Sequence, residues 1–188
     1  MIILGIDPGY AILGYGAVEA ERGKIRVIDY GVVETTPKMT FPERLERLYA
    51  GTKLLLERYR PDHVAFEELF FYRNTTTALQ VAAARGVAIT AAQQAGRPLY
   101  EYTPMQIKQS VTGDGHADKL QMQTMVKLLL KLQKIPKPDD AADALGGGTV
   151  LVAEHGTDLD ADGGQQAGDN ADQPGSGQNV HLHGCKAD

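Results

Sequence analysis

The sequence predicts an α/β fold in which a mixed five-stranded sheet is flanked by helices. Three observations predict it. Short apolar runs recur at 2–7, 12–20, 25–34, 63–67 and 98–101, each of strand length. Longer stretches between the later runs carry apolar residues at helical spacing. The resulting order, βββ-α-β-α-β-α…α, opens with neighbouring strands and then alternates, which suits one sheet covered by helices.

Each element has its own signal. Residues 2–7 (IILGID) are short and β-branched, and Pro8-Gly9 turns the chain. Glu21-Arg22-Gly23 supplies a hairpin between the second and third strands. Pro42 opens a helix that carries Leu45, Leu48, Tyr49 and Leu54 to Leu56 and runs to about Tyr59. Arg60-Pro61-Asp62 ends it, and His63 to Glu67 forms a buried strand. An Ala-rich helix is expected over 75–95, with Gly96 as its stop. Thr103-Pro104 has the form of a cap followed by a first-turn proline, so a helix starts there and reaches about Val111. Asp118 starts another, through Leu132. After the Pro-rich stretch Lys134 to Pro138, Asp139 is expected to cap a final helix. Gly146, Gly147 and Gly148 interrupt that helix at a cost of about 1 kcal/mol each, so it is expected to end or fray there. The domain is therefore drawn at 1–155, with 156–188 as a disordered acidic, Gly-rich tail.

The composition narrows the function. A chain of 188 residues with 43% hydrophobic content can build one real core. No apolar run reaches the roughly 18 residues of a membrane span, so no membrane association is expected. The N-terminus lacks a basic region and a cleavage site, and Cys185 is the sole cysteine, so a cytoplasmic location is expected. The net charge of −5 is uneven: from Ala153 onward there are seven acidic residues and one basic, leaving the rest at +1. A nucleic-acid partner is compatible with that balance.

Acidic residues carry the chemistry. Asp7 ends the first strand, where sheet folds place ligands, although an Asp before Pro-Gly can also serve only the turn. Glu67 and Glu68 end the fourth strand, and side-chain alternation lets only one of them share a site with Asp7. Asp140 and Asp143 stand three apart and so share a helix face. Carboxylates gathered from distant segments suit hard divalent cations and phosphodiester hydrolysis. Lys108 and Lys119 flank the loop TGDGHADK and are candidate phosphate contacts, with helix-end solvation as the alternative. The run Phe70-Phe71-Tyr72-Arg73 suits stacking on bases as well as it suits a core. His181, His183 and Cys185 have poor spacing for a metal motif.

These residues resemble the RuvC family of Holliday-junction resolvases over about 1–145. The matching stretches are LGIDPG, GYG at 14–16, the FE and LFF of 66–71, RNTTTAL at 73–79, ARGVAI at 84–89, EYTPMQIKQSVTG at 101–113, ADK at 117–119 and DAADAL at 140–145. The resemblance implies a ribonuclease-H-like fold, a homodimer and symmetric nicking of four-way DNA junctions. It further implies two Mg²⁺ ions per site, with Mn²⁺ able to substitute, and partnership with RuvA and RuvB. By position it makes Asp7, Glu67, Asp140 and Asp143 the catalytic, metal-binding acids, with Glu67 rather than Glu68 in the family place. Phe70, Arg73, Lys108 and Lys119 become the DNA-binding residues. The three glycines after DAADAL depart from the firm apolar helix that the resemblance implies. That departure motivates a second reading, a junction-binding protein with impaired cleavage. A third, a sugar-kinase-like phosphotransferase, rests on GIDPGYAILGYG as a phosphate loop, in a chain too short for such an enzyme's second lobe.

Overall fold

The computed structural model describes residues 1–68 and 75–159. Five strands form one sheet: β1 (Ile2–Pro8), β2 (Ile12–Glu21), β3 (Lys24–Glu34), β4 (His63–Glu67) and β5 (Leu99–Tyr102). Five helices cover it: α1 (Phe41–Tyr59), α2 (Thr75–Gln94), α3 (Pro104–Thr112), α4 (Lys119–Leu129) and α5 (Asp139–Leu159). The spatial order is β3-β2-β1-β4-β5. β1 pairs antiparallel with β2 and parallel with β4, and β5 joins β4 in parallel. The mixed sheet flanked by helices is the architecture expected from the sequence.

Local chemistry explains most boundaries. β2 and β3 meet at Arg22 (φ 49°) and Gly23 (φ 73°), both left-handed, as a two-residue hairpin turn requires. In α3 the Thr103 hydroxyl accepts from the Gln106 N–H while the Gln106 side chain accepts from the Thr103 N–H. Asp118 and Gln121 repeat that reciprocal cap at α4. α4 stops at Leu129 rather than at Leu132, because Lys131 takes a left-handed φ of 52°.

Alternation along the strands divides the core into two layers. Leu4, Ile6, Val64 and Phe66 point to one face, against Leu48, Leu55 and Leu56 of α1 and Ala84, Ala88 and Ala92 of α2. Ile3, Val18 and Ala65 point to the other, against Ile107 of α3, Met122 and Val126 of α4, and Leu145 and Leu151 of α5. The small residues of α2 allow it to lie close to the sheet.

The expected break at Gly146 to Gly148 does not occur, since α5 is helical without interruption from Asp139 to Leu159. Packing outweighs propensity. The glycines cost roughly 3 kcal/mol together, whereas fully burying a Leu or Val contributes about 1.5–3 kcal/mol each, and Leu145, Val150 and Leu151 are all fully buried. Small residues are also what the contact needs. A Cβ on Gly5 would stand 2.9 Å from the Gly148 N, and one on Gly16 would stand 2.7 Å from Leu145 Cδ2. The helix lies almost on the backbone of β1 and β2. It also passes the boundary drawn at 155; the remainder of the expected tail, with His181, His183 and Cys185, lies outside the described residues. Among the described residues, no helix is long and apolar enough to cross a membrane.

Candidate active site

The same alternation aims the acids. On β1, Ile3 and Gly5 face α5, so Asp7 faces it too. On β4, Ala65 faces that side, so Glu67 does and Glu68 does not. Ile6 pairs with Phe66 in the parallel register, which brings the next residues, Asp7 and Glu67, side by side. Glu67 is half-buried and Glu68 is exposed. Alternation left one of the two to share the site, and it is Glu67, the residue in the family place, that faces α5.

The first turns of α5 supply the other pair. Gly14 is the cross-strand partner of Asp7. A Cβ on Gly14 would stand 2.1 Å from the Asp140 carbonyl oxygen, so only glycine leaves room for the start of α5 there. Asp140 is thus brought against the strand pair that holds Asp7, and Asp143 follows one turn later on the same face. Three separate segments meet at the C-terminal end of the parallel strands.

The electrostatics record the crowding. Burial first, then Asp143 and Asp140, push the Asp7 carboxyl up to about 7. Burial and then Asp7 push Glu67 up to about 8. Asp143 rises to about 6, chiefly through burial. Asp7 and Glu67 sense one shared repulsion, so the pair retains a proton near neutrality. Lys119 opposes the rise at Asp7 and Asp143, and Lys108 opposes it at Glu67. Both lysines therefore stand within electrostatic reach of the acids. Lys108 is half-buried on α3, and Lys119 is the exposed first residue of α4.

Among the described residues, no three acidic, His or Cys side chains close into a ready metal cage. The donor set nonetheless fits a hard divalent cation. Half-buried carboxylates that hold protons because burial and mutual repulsion disfavour their charge are what such a cation neutralises. Mg²⁺ uses few protein oxygens and keeps water and substrate oxygens for the rest. Asp7, Glu67, Asp140 and Asp143 are the residues that could hold it.

One expectation changes in detail, one role is new, and two residues cannot be placed. Asp139 is not outside the final helix as a cap; it is the first residue of α5, and its Oδ2 accepts from Lys119 Nζ at 2.5 Å. Gly5, Gly14 and Gly16 are needed for the site because they let α5 approach, a role invisible without the sheet register, although GYG at 14–16 marked the place. Phe70 and Arg73 lie outside the described residues.

Known proteins are similar to this chain in sequence and fold. The model of the family described as crossover junction endodeoxyribonuclease RuvC matches residues 3–149. A protein of that name from Alkaliphilus metalliredigens is 57% identical over 145 residues, covering 77% of this chain and 88% of its own. One from Brevibacillus brevis is 55% identical over 146 residues, covering 78% and 88%. Among solved structures, Thermus thermophilus RuvC in complex with Holliday junction substrate is 41% identical, with a TM-score of 0.77, covering 84% of this chain and 97% of that one. A yeast mitochondrial Holliday junction resolvase, 17% identical with a TM-score of 0.58, shares the ribonuclease-H-like fold alone. With a family model that spans most of its length and relatives this similar, the chain belongs to the RuvC family of crossover junction endodeoxyribonucleases.

Proposed function

We propose that this chain resolves four-way DNA junctions by metal-dependent nicking, with Asp7, Glu67, Asp140 and Asp143 as the acids that hold Mg²⁺. One observation carries the reading: the β1–β4 register sets Asp7 beside Glu67 on the face that α5 covers, where Gly14 admits Asp140. When bound there, two divalent ions would activate water and offset charge on the scissile phosphate, with Mn²⁺ able to replace Mg²⁺.

The chain's own residues have separate tasks. The four carboxylates fix the geometry of the site and rest on the sheet and on α5 rather than on loops, which limits their movement. Lys108 and Lys119 meet phosphate oxygens beside the cleaved bond. A water oxygen attacks the phosphorus in line, the bond to the 3′ oxygen breaks, and the ends are a 3′-hydroxyl and a 5′-phosphate. Phe70 and Arg73, in the segment after β4, are assigned to the junction itself. A homodimer would present two sites to opposing strands. RuvA and RuvB are the assigned partners, and the cytoplasm the assigned location.

The unbroken α5 favours this reading over a binding-only protein, because the helix bearing Asp140 and Asp143 is firmly packed. The test is cleavage of a labelled mobile four-way junction, with and without Mg²⁺, beside a linear duplex. Paired nicks on the junction alone, requiring Mg²⁺, are expected. Asp7→Asn should bind the junction and leave it intact. Normal nicking by that variant would sink the site assignment.

A further inference from the structure

Lys119 stands where local stability does not favour it. It is the first residue of α4, at the positive end of the helix, where an acid would be preferred. Its side chain is 77% exposed and reaches across to Asp139, the first residue of α5, at 2.5 Å. Surface ion pairs of this kind contribute little to folding. What the pair does instead is hold a flexible ammonium group in one place, on the rim of the acidic cluster. Asp139 is 37% exposed and is turned toward that lysine, while Asp143 and Asp140 are the charges that act most strongly on Asp7.

We infer that Asp139 is a positioning residue for the nuclease: it holds Lys119 in place for the scissile phosphate before DNA arrives. The inference rests on the junction-nicking reading of the site. A lysine has four rotatable carbons, and ordering it during the reaction would slow the step; a carboxylate that orders it in advance removes that loss. The same carboxylate has a cost. It adds a negative charge to a surface that DNA phosphates must approach, so it weakens binding. Asp139 therefore exchanges affinity for orientation. Neutralising it should move binding and cleavage in opposite directions, a signature that simple damage to the fold does not produce.

The experiment compares the full-length wild type, Asp139→Asn, Lys119→Gln and the double variant. Junction binding is measured by gel shift without Mg²⁺. Nicking is measured with Mg²⁺ in single turnover at saturating protein. D139N should bind about two- to five-fold tighter at low salt and nick roughly two- to five-fold slower. In the K119Q background, adding D139N should slow nicking no further. Asp139→Glu, which keeps the charge, should recover most of the rate. Nicking by D139N at the wild-type rate overturns the proposal. So does a multiplicative loss in the double variant, which would make Asp139 act without Lys119, as a fifth metal ligand would. Weaker binding with slower nicking and a lowered melting temperature assigns Asp139 to the fold alone and also overturns it. A wild type that leaves junctions intact fails differently: it removes the nuclease reading itself.

Discussion

Gly5 of β1 and Ala144 of α5 meet backbone to backbone: a Cβ on Gly5 would stand 1.9 Å from the Ala144 carbonyl oxygen. That contact sets the height of α5 above the sheet, and with it the positions of Asp140 and Asp143 relative to Asp7.

Gly5→Ala cannot be absorbed by a side-chain rotation, because the obstructing atom is backbone. The helix must move away from the strand. Overpacking of this kind costs typically 1–3 kcal/mol. The two acids move with the helix, and a displacement of about 1 Å lowers a rate roughly 100-fold. Urea denaturation should show the lost stability, and single-turnover nicking the lost rate. A variant with both unchanged would contradict the contact.

Gly147→Ala should act in the opposite direction. The nearest atom to a Cβ there is Ile107 Cδ1 at 3.9 Å, an ordinary contact. Replacing a helix-interior glycine by alanine then gains about 0.5–1 kcal/mol. The urea midpoint should rise with the slope unchanged. A fall would show that the helix is not continuous through this residue.

These two glycines show how far the sequence could be read. Strand positions were legible because β1, β4 and β5 are short apolar runs between turn residues, and alternation showed that only one of Glu67 and Glu68 can share a site with Asp7, while the family resemblance picked Glu67. The fate of Gly146 to Gly148 was not legible, since propensity is local. What keeps the helix going is the absence of side chains on Gly5, Gly14 and Gly16, far earlier in the chain. The end of α4 was misjudged for a similar reason. Leu132 continues the apolar pattern, but Lys131 has already left the helix. The Lys119–Asp139 pair joins two helix starts that no spacing rule connects.

Stability of the metal-free protein should fall as pH rises. In the folded state Asp7, Glu67 and Asp143 have pKa values of about 7, 8 and 6, above the 3.9–4.3 of unfolded acids. Between about pH 4 and 8 the folded form therefore binds more protons than the unfolded form, so raising the pH favours unfolding. With EDTA present, the melting temperature at pH 8 should lie roughly 5 °C or more below that at pH 5.5. Mg²⁺ should recover most of the loss at pH 8 and little at pH 5.5. A flat profile with EDTA would mean that burial and crowding do not disfavour the charged acids.

Asp7→Asn should stabilise the metal-free protein at pH 8 while abolishing nicking. The substitution removes a half-buried charge that Asp143, Asp140 and Glu67 all oppose. Scanning fluorimetry should show a melting temperature a few degrees higher than wild type, with a smaller response to Mg²⁺. Such an exchange of stability for activity is expected where a site concentrates like charges.

The order in which the acids are synthesised has a consequence for the cell. Asp7 and Glu67 precede α5 in the chain, whereas Asp140 and Asp143 arrive only with that helix. Until that helix has left the ribosome and settled on Gly5 and Gly14, two of the four acids have no place beside the others. A chain that stops short of α5 therefore cannot assemble the four-acid cluster at all.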